Sequence, residues 1–185
     1  MTKNFAERTV ELSRTVFDSF QLTPPSLKAF CIISLVKAME WMIVYFTRSG
    51  TCERIAKKIA ETTGFRAVRL YDDVNWSGFL GFMKAGFYAL TGRRTKIEIE
   101  EELNADRFVL ITPIWAGSIT PAARTFIEHF GPSKILLVTV SEVTKPEDVS
   151  RSLKKKYNLL GVHGFTKKTN ESEVMRQLVE KLQKI

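Results

Sequence analysis

The 185-residue chain has only two cysteines, Cys31 and Cys52, too few for a disulfide framework or a cysteine-based zinc cluster. Its two histidines, His129 and His163, lie far apart without a third partner, which argues against a histidine metal site. It lacks any run of 18 apolar residues, so no transmembrane helix is expected. It also lacks the GxxxxGK[ST] phosphate loop and the GxGxxG fingerprint, which disfavours nucleotide hydrolysis and a Rossmann dinucleotide site. Residues 1–41 contain no glycine at all.

What is present is an ordinary globular composition, 44% apolar and 26% charged, which excludes disorder as the main state. The length suits one domain, or one domain with an appendage. The net charge is +8 and the pI about 9.6. A basic balance admits nucleic acid, anionic surfaces, acidic proteins and phosphorylated ligands without choosing among them. The lysine triplet 154–156 reads as a solvated helix face, and no nucleic-acid partner is expected.

Residues 1–41 form an N-terminal extension, helical or disordered. The stretch Glu7–Phe20 has helical amphipathic spacing, Pro24-Pro25 interrupts it, and a short apolar run spans Ala29–Val36. The run sits late and lacks a cleavage site, so it is a poor secretory signal and a cytoplasmic location is expected. Three readings stay open: a segment upstream of the true start, an added helix on the domain, or a membrane-surface helix.

From Met42 onward strands and helices alternate. Met42–Phe46 is an apolar, β-branched and aromatic run of the kind found in buried parallel strands. A helix then carries Ile55, Ala56, Ile59 and Ala60 at helical spacing and ends at Gly64. Further strands are expected at Ala67–Leu70, Arg107–Thr112, Lys134–Val140 and Leu159–Phe165. Helices are expected at Ile119–Phe130, Glu147–Tyr157 and Glu171–Lys184, the last with Val174, Leu178, Val179 and Leu182 inward. This alternation implies an α/β fold, a parallel sheet covered on both faces, with ligands bound at the carboxyl ends of its strands.

The loop after the first strand, Thr47-Arg48-Ser49-Gly50-Thr51-Cys52, lies between a strand and a helix N-terminus. Free N–H groups and a partial positive charge make such a place attractive to phosphate. Thr47, Ser49 and Thr51 add hydroxyls, and Gly50 permits a tight turn. The plain alternative is a helix cap by Ser49 or Thr51. After the third strand comes Thr112-Pro113-Ile114-Trp115-Ala116-Gly117, where Trp115 offers an aromatic face to a flat, polarisable ring. Its alternative is a core or rim tryptophan.

These two loops resemble the phosphate loop and the flavin-stacking loop of flavodoxins, whose first motif is roughly T-x-[ST]-G-[NT]-[ST]. The segment Ser77–Gly92 likewise resembles a helix of small flavodoxin-like proteins of prokaryotes. The resemblance covers residues 42–185. It implies a doubly wound five-stranded parallel sheet of order 2-1-3-4-5 with helices on both faces, and FMN as cofactor. It implies that Thr47 to Cys52, Pro113 to Gly117, and Ser141 and Glu142 of the fourth-strand loop hold the flavin, with no catalytic side chain and no metal. Cys52 departs from the family's terminal hydroxyl. A thiol there is either a buried filler or an activated nucleophile. The loop Ser141–Thr144 lacks the tyrosine that many flavodoxins stack on the second ring face, which leaves the ring half open. Residues 42–185 carry +7 (23 basic minus 16 acidic), unlike acidic electron carriers. The expected function is electron transfer to a redox partner protein, or reduction of a small acceptor such as a quinone with NAD(P)H as donor. The competing expectation is a cofactor-less flavodoxin-like binding module.

Overall fold

The computed structural model describes residues 41–142, 152–166 and 170–184. The expectations for the N-terminal extension, for Val143 and Thr144, and for the start of the 147–157 helix lie outside these residues. In chain order the elements are β1 (Trp41–Tyr45), α1 (Thr51–Thr63), β2 (Arg66–Asp72), α2 (Gly78–Thr91), β3 (Ile97–Ile99), β4 (Arg107–Trp115), β5 (Ser118–Ile119), α3 (Pro121–Phe130), β6 (Ile135–Ser141), β7 (Gly161–Thr166) and α4 (Glu171–Lys184). Residues 152–156 are helical as well.

Five strands run parallel in the spatial order β2-β1-β4-β6-β7. Counting parallel strands only, this is the 2-1-3-4-5 order. Two short antiparallel strands add to it. β3 pairs Ile99 with Leu70 and covers the β2 edge, and β5 folds back on the end of β4 through Ile114↔Ile119. Neither was expected from sequence, because two or three residues carry no readable period. β5 also takes Ile119 out of the helix expected from Ile119 onward. That helix starts at Pro121, where Thr120 caps it by accepting a hydrogen bond from the Ala123 amide at 3.3 Å.

Alternation along β1 divides two cores. Met42, Val44 and Phe46 join Phe108, Leu110, Ala122, Phe126 and Leu137 on one face. Trp41, Ile43 and Tyr45 join Ile55, Ile59, Val109, Val138 and Leu178 on the other. Ile43, Val44, Val109, Leu110 and Ile111 are fully buried, each contributing about 1.5–3 kcal/mol relative to exposure. In α4, Val174, Met175, Leu178 and Leu182 are buried while Val179 is half-buried, so Met175 takes a place that the periodicity gave to Val179. Among the described residues no helix is long and apolar enough to cross a membrane.

Candidate functional site

The carboxyl ends of β1, β4, β6 and β7 surround a cleft of about 700 Å³, within the size range of small-ligand sites. Parallel register explains the convergence: Tyr45↔Ile111, Pro113↔Val140 and Val140↔Phe165 put the four strand ends side by side, so the loops leaving them meet.

The first wall is the loop from β1 to α1. Thr47, Arg48, Ser49, Thr51 and Cys52 all line the cleft. The Gly50 amide donates to Thr47 Oγ1 at 3.0 Å, closing the loop, and Ser49 Oγ lies 3.3 Å from Thr51 Oγ1. Gly50 is the N-cap of α1 with φ +81 and contributes no side-chain cap. The cap by Ser49 or Thr51 considered from sequence is therefore absent. The N-terminal amides of α1 carry the positive end of the helix dipole to the cleft without a side-chain acceptor. Gly50 itself shapes the turn and does not line the cleft. Cys52 is buried, and burial pushes its thiol up to about 12, so it is a packed filler rather than an activated nucleophile.

The second wall comes from β4. Pro113, Ile114 and Trp115 line the cleft. The half-buried Trp115 ring is fixed by edge contacts with Trp76 and Phe46, at centroid distances of 5.1 and 5.8 Å. The Trp76 indole N–H in turn donates to both oxygens of Asp72, at 2.8 and 2.9 Å, and Tyr88 packs on its edge. Burial raises the Asp72 carboxyl above the usual range, opposed by the bond from Trp76. Ala116 (φ +45) and Gly117 (φ +76) form the tip of the two-residue β4–β5 hairpin and lie off the cleft wall. Positive φ at both central positions defines a type I′ turn, in which glycine is at ease and alanine is strained.

The third wall combines Ser141 at the end of β6 and Glu142 just after it with residues that the sequence reading did not single out: Arg54 and Ile55 one turn into α1, Val140, Phe165 and Thr166 at the end of β7, and Glu171 at the start of α4. The signals were weak but present, since one helical turn past Thr51 and the carboxyl end of the fifth strand must face the same space. Arg54 grips Glu171 through two bonds, at 2.8 and 3.0 Å, and Lys58 adds a third at 3.1 Å. The bonds from Arg54, then Lys58, hold the Glu171 carboxyl down to about 2. Of the two carboxylates on this wall, Glu171 is thus neutralised locally. Arg48 is exposed on the rim.

Together these walls offer helix amides and hydroxyls that suit an anion, and a fixed indole with Ile114 that suits an apolar ring. Among the described residues no group of three His, Cys, Asp or Glu side chains could hold a metal ion.

No protein-family model and no curated protein matches the sequence. Solved structures do. A candidate flavoprotein from Bacteroides eggerthii is 18% identical, with a TM-score of 0.63 over 78% of this chain and 98% of that one. A candidate flavoprotein from Bacteroides uniformis is 16% identical, with a TM-score of 0.60 over 76% and 97%. A flavoprotein from Lactobacillus acidophilus, solved in complex with FMN, is 16% identical, with a TM-score of 0.58 over 74% and 97%. At these identities the likeness is one of fold. With its parallel strands ordered 2-1-3-4-5 and its cleft at their carboxyl ends, the chain has the flavodoxin-like α/β fold.

Proposed function

We propose that the chain binds FMN in this cleft and is a redox flavoprotein. The observation that carries the reading is the meeting of an uncapped helix N-terminus and a rigidly held tryptophan in one cleft of suitable size. The residues suit a phosphorylated ring compound: acceptor-free amides and the hydroxyls of Ser49 and Thr51 for a phosphate, and Trp115 for a flat apolar face. When bound, FMN supplies one- or two-electron redox chemistry. The chain's own residues bind and orient. The 47–52 loop would anchor the phosphate, Ile114 and Trp115 would set the plane of the ring, and Phe165 would exclude water from the depth of the cleft.

Within redox function, two features favour reduction of a small acceptor such as a quinone, with NAD(P)H as donor, over carriage of electrons to a protein. The described part of the β6 loop brings Ser141 and Glu142 rather than an aromatic side chain, and residues 42–185 carry +7 where acidic carriers dock on basic partners. The absorption spectrum of freshly purified protein, followed by titration with FMN, tests the reading. Flavin bands, or saturable quenching of flavin fluorescence, are expected. A colourless protein that leaves added FMN fluorescence unchanged would overturn the redox assignment and return the chain to the class of cofactor-less binding modules.

A further inference from the structure

The apolar residues of α2 are arranged the wrong way round for a lone soluble domain. Its buried face is made of small residues, Gly81, Ala85 and Ala89, at i, i+4 and i+8. A Cβ at position 81 would lie 2.2 Å from the Trp76 carbonyl carbon, so the chain entering the helix passes close enough to require glycine there. The large residues point outward. Phe79, Leu80, Phe82, Met83, Phe87 and Leu90 are 52–80% exposed. An ordinary surface helix turns its apolar stripe to the core and its polar face to water.

Three observations say what covers this face. First, Leu80, Met83, Phe87 and Leu90 follow the 3-4-3 spacing of a helix seam that receives knobs from another helix. Second, the seam is self-complementary: in an antiparallel two-fold pairing Leu80 meets Leu90 and Met83 meets Phe87 across the axis, the isologous arrangement of a closed dimer. Third, six large side chains at these exposures present about 800 Å², more than the usual apolar patch of a monomer, so that even the part flanking the seam is a sizeable share of what one partner buries in a stable interface. Charge does not favour an anionic partner. Lys84 is the single charged residue of α2, and the two arginines that follow the helix are engaged. Arg93 lies over the rings of Phe87 and Tyr88, and Arg94 pairs with Glu128.

We infer that the outward face of α2 is a homodimer interface, occupied by the same helix of a second copy. This conclusion does not rest on flavin binding, although Trp76 just before α2 braces Trp115, so pairing would stiffen one wall of the cleft.

Sedimentation of the full chain across the micromolar range tests it. The expected species has twice the chain mass of 21.1 kDa. Leu80→Glu and Phe87→Glu, each placing an unpaired charge in the seam, should weaken association by about 100-fold or more, while circular dichroism and the urea midpoint show the domain still folded. Lys155→Glu, at an exposed position on another helix, should remain dimeric. A monomer at every concentration overturns the inference. So does a dimer whose affinity ignores both seam substitutions. A monomer that sediments only with vesicles of phosphatidylcholine and phosphatidylglycerol would assign the face to lipid instead and overturn it too.

Discussion

Arg124 sits at an inward position of α3 and is 3% exposed, an unusual place for a guanidinium with no carboxylate partner among the described residues. Its Nη1 donates to the carbonyls of Tyr88 at 3.0 Å and Arg93 at 3.2 Å. Its Nη2 donates to the Ala89 carbonyl and to Ser118 Oγ, both at 2.7 Å. The side chain therefore caps the carbonyl end of α2, where a cation is favoured by the helix dipole, and ties it to Ser118 of β5, which pairs with Trp115 at the end of β4. Burial lowers its affinity for its proton, which marks the desolvation that these bonds must offset. Replacing Arg124 by Met keeps the apolar stem and removes all four bonds. Four charge-assisted bonds at about 1.5–3 kcal/mol each, less several kcal/mol of desolvation recovered, leave a net loss of about 3 kcal/mol. That is a large part of the 5–15 kcal/mol typical of a domain. Urea denaturation followed by circular dichroism should show the midpoint fall with the slope unchanged. Arg124→Lys, with a single ammonium unable to span both sets of carbonyls, should lose roughly half as much. A loss below about 1 kcal/mol for the Met variant would refute the view that Arg124 is a cap rather than a passenger.

At the cleft, Trp115→Ala should weaken FMN binding by about 1–3 kcal/mol, by analogy with base-on-aromatic stacking, and a fluorescence titration that returned the parent affinity would remove Trp115 from the site. Ser49→Ala should weaken FMN more than riboflavin, since only the former carries a phosphate; equal losses would contradict the placement of the anion on the 47–52 loop. Ala116→Asn, which suits the left-handed first position of a type I′ turn, should stabilise the fold by about 0.5–1 kcal/mol and raise the thermal midpoint by a few degrees. His163 is half-buried with no partner for Nε2 among the described residues, and burial, then Lys181, pushes its pKa down to about 4 from 6.5. The unfolded chain binds this proton at higher pH than the folded one, so stability is full above about 6.5 and declines as pH falls toward 4, by about 3 kcal/mol in all. His163→Gln should flatten that part of the stability–pH curve, and an unchanged slope would count against this assignment.

The alternation of strand and helix, and the positions of the main strands to within a few residues, were legible because they rest on local periodicity. Met42–Phe46 could be little else than a buried strand, and Gly64 ended its helix with a left-handed cap as its chemistry requires. The 47–52 and 112–117 loops stood out because hydroxyls, glycine and an aromatic fall where strand ends must open. Other features had no local signal. Short strands such as β3 and β5 are held by their partners, not by their own pattern. Phe165 and Glu171 reach the cleft only because crossovers lay β7 beside β6 and α4 beside α1. Arg124 gives no sequence signal of burial, and only the fold delivers the α2 carbonyls to it. Which side of α2 faces out carries no local signal, and only the fold puts Gly81, Ala85 and Ala89 inward and the large apolar residues outward. Sequence by itself thus determined which segments form elements and which loops carry polar and aromatic groups, since those follow from neighbours along the chain. Tertiary structure alone decided which side of each element meets water and which distant side chains share a wall, since burial depends on what the fold brings alongside.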